Sequence, residues 1–188
     1  MEAPDVDANI HQNAVAHPHN GSMGAALIDS FGKLAITPSA GSASTDFDFL
    51  VGSWTVHNRK LKSRLCGCAD WTEFDFETST RSVLSGFGNL DESGSTLRMF
   101  DPDTRLWTIY GAFPGAVSID LMFGSFEGSV GSFFGLDSHE GRPVICQFEW
   151  DKTDPDAPIW KQALSEDGGA SWEWNWTMWF RRVGSVKC

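Results

Sequence analysis

Residues 47–61 read FDFLVGSWTVHNRKL, and this stretch indicates the kind of fold that the chain adopts. Its first half is apolar, Gly52 interrupts it, and a β-prone run begins at Trp54. A glycine two residues before a large aromatic side chain suits a corner at which the chain turns inward over a core. Strand alternation then places Trp54, Val56 and Asn58 on one face, and Thr55, His57 and Arg59 on the other.

The rest of the chain continues this β pattern in short segments separated by turn-forming residues. Turns rich in Asp, Gly and Pro fall at 89–95, 100–106, 137–143, 151–158 and 165–171, which is typical of hairpins. The predicted strands are 54–63, 71–79, 81–90, 95–101, 105–112, 117–124, 126–135, 143–150, 159–165 and 172–183. Short strands joined in sequence favour an all-β fold, an antiparallel up-and-down barrel of eight to ten strands, over a two-sheet sandwich. Such a barrel is filled by side chains or holds one small ligand.

The segment before the barrel has a different composition. Residues 1–45 form a predicted mobile tail, with a short helix at 22–34, and residues 46–188 form the barrel. The tail carries His11, His17 and His19, but without cysteine or carboxylate partners this spacing is weak evidence for a metal site.

Composition and charge narrow the function classes. The chain has 188 residues, 41% of them hydrophobic, with nine Trp and fourteen Phe, enough for one core without disulfides or metal. The net charge of −11 argues against nucleic acid and against anionic membrane surfaces as partners. No apolar run is long enough for a transmembrane helix, the acidic N-terminus does not resemble a signal peptide, and the cysteine spacing is poor for disulfides. We therefore expect a reduced, cytoplasmic protein, with a homodimer as an open alternative.

The last predicted strand, WEWNWTMWFRR at 172–182, is unusually rich in tryptophan. Even positions from Trp174 to Arg182 share one face and odd positions the other, and both faces carry Trp, so alternation leaves the inward face undecided. An arginine that ends an apolar face needs a partner, and stacking of Arg182 on Trp54 is one candidate.

Three segments carry a resemblance to known barrels. The Gly-Ser-Trp entry at 52–54, the run of antiparallel strands and the terminal Arg182 resemble the calycins, which include lipocalins, fatty-acid-binding proteins and nitrobindins. FDFLVGSWTVHNRKL, LRMFDPDTRLWTIY and SEDGGASWEWNWTMWFRRV are similar to small, largely uncharacterised barrel domains that open with FDFLxGxW. The resemblance implies that Trp54 and Arg182 form a structural floor at one end of the barrel. The chain departs from that group at Trp174, Trp179 and Gly111, and the resemblance implies a pocket but no single chemistry.

Polar residues interspersed among the tryptophans suggest a small-molecule site, because such sites are mostly apolar with a few convergent polar groups. We predict Trp150, Trp160, Trp174, Trp176 and Met178 as ligand-binding residues. The candidate catalytic residues are Asn58, Tyr110, Gln162 and Asn175. An alternative is that these aromatic residues simply fill the barrel.

The sequence is compatible with several functions. The leading hypothesis is a cofactor-independent cyclase or isomerase of secondary metabolism, acting on a hydrophobic small molecule without cofactor or metal. A binding or carrier protein is the alternative. A haem-binding barrel ranks third, because His57 is predicted to face outward unless a β-bulge follows Trp54, and His139 falls in a turn. The carboxylates Asp75 and Glu77 are predicted to face solvent, although either would be a candidate general acid if buried.

Overall fold

A computed structural model describes residues 27–29, 32–91, 96–112 and 120–184. Ten antiparallel strands form a closed barrel, which confirms the fold class predicted from the turn spacing. Two short strands precede it, β1 (Leu27–Ile28) and β2 (Leu34–Ala35). The barrel strands are β3 (Gly52–Leu61), β4 (Trp71–Val83), β5 (Gly88–Asp91), β6 (Thr96–Asp101), β7 (Leu106–Gly111), β8 (Asp120–Glu127), β9 (Val130–His139), β10 (Arg142–Asp151), β11 (Ile159–Ser165) and β12 (Glu173–Arg182).

The barrel has up-and-down topology. Each strand from β3 to β12 pairs with the next one along the chain, and β12 returns to pair with β3. The closing register sets Arg182 opposite Trp54 and Met178 opposite Asn58. This arrangement is consistent with a calycin-like barrel, and it joins the first and last predicted strands of the barrel at one seam.

The segment just before the barrel closes one of its ends. A 3-10 helix at Asp48–Leu50 follows Phe47, which is completely buried. The Phe47 ring makes edge-on contacts with Trp107 and Phe126, each at a centroid distance of 4.9 Å. The apolar half of the 47–61 stretch therefore forms a plug of aromatic packing in the barrel end.

The helix predicted at 22–34 does not match the described part of that segment. Residues 22–26, 30 and 31 lie outside the described residues, whereas β1 and β2 pair as a short antiparallel ladder. Asp29 accepts a hydrogen bond from the Lys33 backbone N–H at 2.9 Å, and Gly32 adopts a left-handed φ of 74°. These are turn features that interrupt a helix. The histidines of the tail also lie outside the described residues, and the proposed domain boundary stays a prediction.

Among the strand boundaries that differ from the sequence prediction, the end of β4 has a consequence for the cavity. The predicted break after residue 79 is absent, and β4 continues to Val83. The chain then turns through Leu84, Ser85 and Gly86, all with positive φ, so β5 has only four residues. Because β5 pairs with residues 80–83 of β4, residues 71–77 pair with β3 alone among the described strands.

Candidate ligand-binding cavity

A cavity of about 570 Å³ occupies the barrel beyond the aromatic plug. This volume is in the range of small-molecule sites, which are roughly 300–1,000 Å³. Its apolar wall comes from β4, β7, β10, β11 and β12 and consists of Phe74, Phe76, Ile109, Phe148, Trp150, Trp160, Trp176, Met178 and Phe180. The barrel is therefore not filled solidly by its aromatic side chains.

The aromatic rings of the wall are held by contacts with one another. Trp160 packs edge-on against Trp176 at a centroid distance of 5.3 Å and against Phe148 at 4.9 Å. The ring centroids of Trp150 and Phe180 are 5.1 Å apart. Edge-to-face packing of this kind fixes ring orientation, so the wall has a defined shape before any ligand enters.

Strand alternation on β10 and β11 agrees with the sequence prediction. Trp150, Trp160 and Gln162 are all buried and line the cavity. Trp176 and Met178 line it from β12, which establishes the inward face of that strand over most of its length.

A β-bulge changes the orientation at the start of β12. The β11–β12 register shifts between Gln162 and Ala163, so that Asn175 has no direct partner on β11. Asn175 is consequently buried, while Trp174 points out of the barrel and is 40% exposed. The prediction that Trp174 lines the pocket is therefore wrong in its geometry, because one extra residue reverses the alternation. Lys161 covers the exposed ring, with its Nζ 5.7 Å from the centroid.

Three buried amide side chains make hydrogen bonds at the cavity wall. Gln162 donates through Nε2 to Asn175 Oδ1 at 2.9 Å. Asn58, which is 0% exposed, accepts from Trp176 Nε1 at 2.9 Å. Three of the four candidate catalytic residues are thus brought to the same region, but Gln162 is the one that contacts the cavity directly.

Tyr110, the fourth candidate, lies on the other face of β7. Its neighbours in sequence, Ile109 and Gly111, are buried, and Ile109 lines the cavity. Tyr110 therefore points away from the interior and pairs across the sheet with Leu97 and Leu121. The sequence-based placement of Tyr110 among the tryptophans, as a candidate catalytic residue, is wrong because of this outward orientation.

Charged residues lie at the cavity as well, three basic and three acidic: Lys60, Arg64, Arg98, Glu77, Asp91 and Asp120. Lys60 places its Nζ 3.7 Å from the Trp176 ring centroid, and burial together with nearby Arg64 lowers its pKa. Asp120 is largely exposed, yet partial desolvation and the neighbouring Asp137 raise its pKa, against an opposing effect of Arg64.

Arg98 is the residue that the sequence analysis missed. It is only 5% exposed and donates to Asn89 Oδ1 at 2.9 Å and to Asp91 Oδ2 at 3.1 Å. Burial lowers its pKa, while Asp91 opposes that effect. Alternation in 96–100 could have indicated an arginine on the face shared with Phe100, but nothing in the sequence pairs it with Asp91.

His57 lies on the outer face of β3, as the unbulged alternation predicts. Its Nδ1 is 2.7 Å from Asp75 Oδ1, and its ring packs against Trp179 at a centroid distance of 5.6 Å. Asp75 is also exposed, so neither residue reaches the cavity. In the described part of the chain, no group of three His, Cys, Asp or Glu side chains is arranged to hold a metal ion.

Trp54 and Arg182, the predicted floor residues, pair at the end of the β3–β12 seam that adjoins the 3-10 helix. Trp54 is completely buried and donates from Nε1 to the Leu50 carbonyl oxygen at 2.7 Å. The Arg182 guanidinium lies over its ring at 4.2 Å. Gly52 has a φ of 131°, and a Cβ at this position would lie 2.8 Å from Arg182 Nη1. These two constraints explain why a glycine lies two positions before Trp54.

Comparisons with known proteins leave the family undetermined. Neither the protein-family models nor the curated proteins include a match to this chain. Among the helices of the described residues, none has the length and apolar character needed to cross a membrane.

Proposed function

We propose that the protein binds a hydrophobic small molecule inside a lipocalin-like barrel. The observation that carries this proposal is the cavity of about 570 Å³ with its wall of packed tryptophan and phenylalanine rings. Burial of apolar ligand surface there is favourable at roughly 25 cal/mol per Å². A planar or polycyclic ligand suits the wall, because extended ring faces match the flat sides of the indoles.

Access to the cavity is supported by an exposed apolar side chain on β4. Phe74 lines the cavity from β4 and is 42% exposed, so the apolar wall reaches solvent at this strand. A ligand can therefore approach the cavity on the side of β4.

Nile red provides a direct test, because its emission shifts and brightens in an apolar site. We expect binding at micromolar concentration, which corresponds to about −8 kcal/mol. Thr78→Trp places a bulky ring into the cavity from β4 and should abolish binding, whereas Thr55→Trp on the outer face of β3 should preserve it. Absence of Nile red binding by the unmodified protein would refute the proposal, as would equal binding by both folded variants.

A second candidate function is a cofactor-independent cyclase or isomerase. The specific observation in its favour is Gln162, whose buried amide is held at the cavity wall by Asn175. A fixed amide donor can stabilise negative charge that develops on a substrate oxygen, and rigid aromatic walls can hold a reactive conformer. Incubation with polyene or polycyclic precursors, followed by mass spectrometry and NMR, distinguishes the two functions. An isomeric product that is absent with Gln162→Leu supports the enzyme, and unchanged precursor supports a carrier.

A further inference from the structure

The inner part of the cavity contains a buried arginine whose hydrogen-bonding capacity is only partly used. A guanidinium group carries five N–H donors. In the described chain, Arg98 uses Nη1 toward Asn89 and Nη2 toward Asp91, and its Nε has no acceptor. Each Nη also carries a second N–H. A buried donor without an acceptor is costly, so this site favours an additional hydrogen-bond acceptor.

The location of Arg98 defines which part of a ligand it meets. Its guanidinium carbon lies 5.5 Å from the Phe47 ring centroid and 5.7 Å from that of Trp150. Phe47 belongs to the aromatic plug, so Arg98 marks the closed side of the cavity. Lys60 and Arg64 line the same cavity from the end of β3 and the segment after it.

The charge of Arg98 is already balanced. Asp91 pairs with it in a setting where the two side chains are 6% and 15% exposed. A ligand carboxylate on the same guanidinium would place a second negative charge beside Asp91, and repulsion between like charges is strong where water is scarce. A neutral oxygen acceptor gains the hydrogen bond without this repulsion.

From these contacts we infer that the ligand is a neutral, largely apolar molecule with a carbonyl oxygen at its inner end, which accepts a hydrogen bond from Arg98. The class includes polycyclic ketones and lactones, whose ring systems pack against the tryptophan wall. This inference rests on the proposed binding function and adds the polarity of the ligand and its orientation in the barrel.

Three probes of closely related shape test the inference on the full chain: fluorene, 9-fluorenone and fluorene-2-carboxylate. Displacement of Nile red should show that fluorenone binds roughly tenfold or more tightly than fluorene, as expected for a hydrogen bond to a charged donor. The carboxylate should bind more weakly than the ketone. Equal affinity for fluorene and fluorenone, or preference for the carboxylate, would overturn the inference while leaving the binding function intact. Failure of Nile red and all three probes to bind would instead refute the binding function.

Infrared spectroscopy identifies the donor. The carbonyl stretch of bound fluorenone should lie at lower frequency than in hexane, because a hydrogen bond weakens the C=O bond. The double variant Arg98→Met with Asp91→Asn avoids an unpaired buried carboxylate, and it should remove the shift. Arg59→Met, the matched change on the outer face of β3, should retain it.

The unmodified protein also tests the inference if the double variant does not fold. A carbonyl frequency of bound fluorenone equal to that in hexane would overturn the inference. Loss of the shift with Gln162→Leu but not with the double variant would also overturn it.

Discussion

The guanidinium carbon of Arg182 lies 4.2 Å from the centroid of the Trp54 ring, and the two residues face each other across the seam that closes the barrel. Arg182 also donates to the carbonyl oxygens of Phe49 at 2.7 Å and Val51 at 2.9 Å. One side chain from the last strand thereby connects the seam to the segment that forms the aromatic plug. The end of the barrel depends on contacts between residues more than a hundred positions apart.

Replacement of Trp54 by alanine should destabilise the protein by about 3–5 kcal/mol, because it leaves a large cavity in a completely buried site. Chemical denaturation measured by circular dichroism gives the free energy of unfolding. Trp174→Ala is the matched control, since that ring is exposed, and its effect should stay below about 1 kcal/mol. Similar losses for both variants would show that Trp54 does not have this packing role.

Replacement of Arg182 by methionine retains much of the aliphatic stem and removes the charge. We expect a loss of about 2 kcal/mol, from the cation–π contact and the hydrogen bonds to two backbone carbonyls. Arg59 offers a matched comparison, because its guanidinium lies 4.4 Å from the Trp71 ring centroid on the exposed surface. Arg59→Met should cost less than about 1 kcal/mol. Equal costs in denaturant titrations would contradict a special role for the Arg182 contacts.

The strand pattern could be predicted because each barrel strand has an inward face that repeats every second residue. Turn residues located the ends of β6, β7, β10 and β11 within about two positions, since their chemistry is local. The extension of β4 to Val83 was missed because residues with positive φ at Leu84 and Ser85 are not recognisable from their side chains. The Asn175 bulge was missed for a related reason, because its position depends on the partner strand.

The candidate site was predictable only in part. Trp150, Trp160 and Gln162 follow from alternation on strands with one clearly apolar face. The Arg98–Asp91 ion pair depends on the register of β5 against β6 and on the path of an arginine side chain, neither of which composition or spacing encodes. Buried charges outside recognisable motifs are thus the least accessible part of such a site.

Because of the bulge at Asn175, Trp174 and Trp176 lie on opposite sides of the barrel wall, and fluorescence can distinguish them. Trp176 lines the cavity, whereas Trp174 lies outside it. Fluorenone should therefore quench the tryptophan fluorescence of the unmodified protein more strongly than that of the Trp176→Phe variant. The Trp174→Phe variant should retain most of the quenching. The reverse order would place Trp174 inside the barrel and contradict the bulge at Asn175.

The contact between Asn58 and Trp176 can be measured by a double-mutant cycle. Asn58→Leu leaves the partly buried indole N–H without its acceptor and should cost about 1–3 kcal/mol. In a Trp176→Phe background the same change should cost less, because phenylalanine has no donor to leave unpaired. Thermal and denaturant unfolding of the four proteins gives the coupling energy. A coupling energy of zero would mean that the hydrogen bond does not stabilise the wall.

Asp167 provides a test of the turn between β11 and β12. Its side chain accepts hydrogen bonds from the Ser171 hydroxyl at 2.6 Å and from the Ser171 backbone N–H at 2.8 Å, and these bonds together with Ser165 lower its pKa to about 2. A carboxyl with a depressed folded-state pKa contributes stability that is fully present above its unfolded value, near 4, and is lost as the pH falls toward 2. NMR titration of the Asp167 carboxyl carbon should give this low pKa, and Ser171→Ala should raise it toward the ordinary value. A pKa near 4 in the unmodified protein would contradict the hydrogen-bonded turn, as would one that Ser171→Ala leaves unchanged.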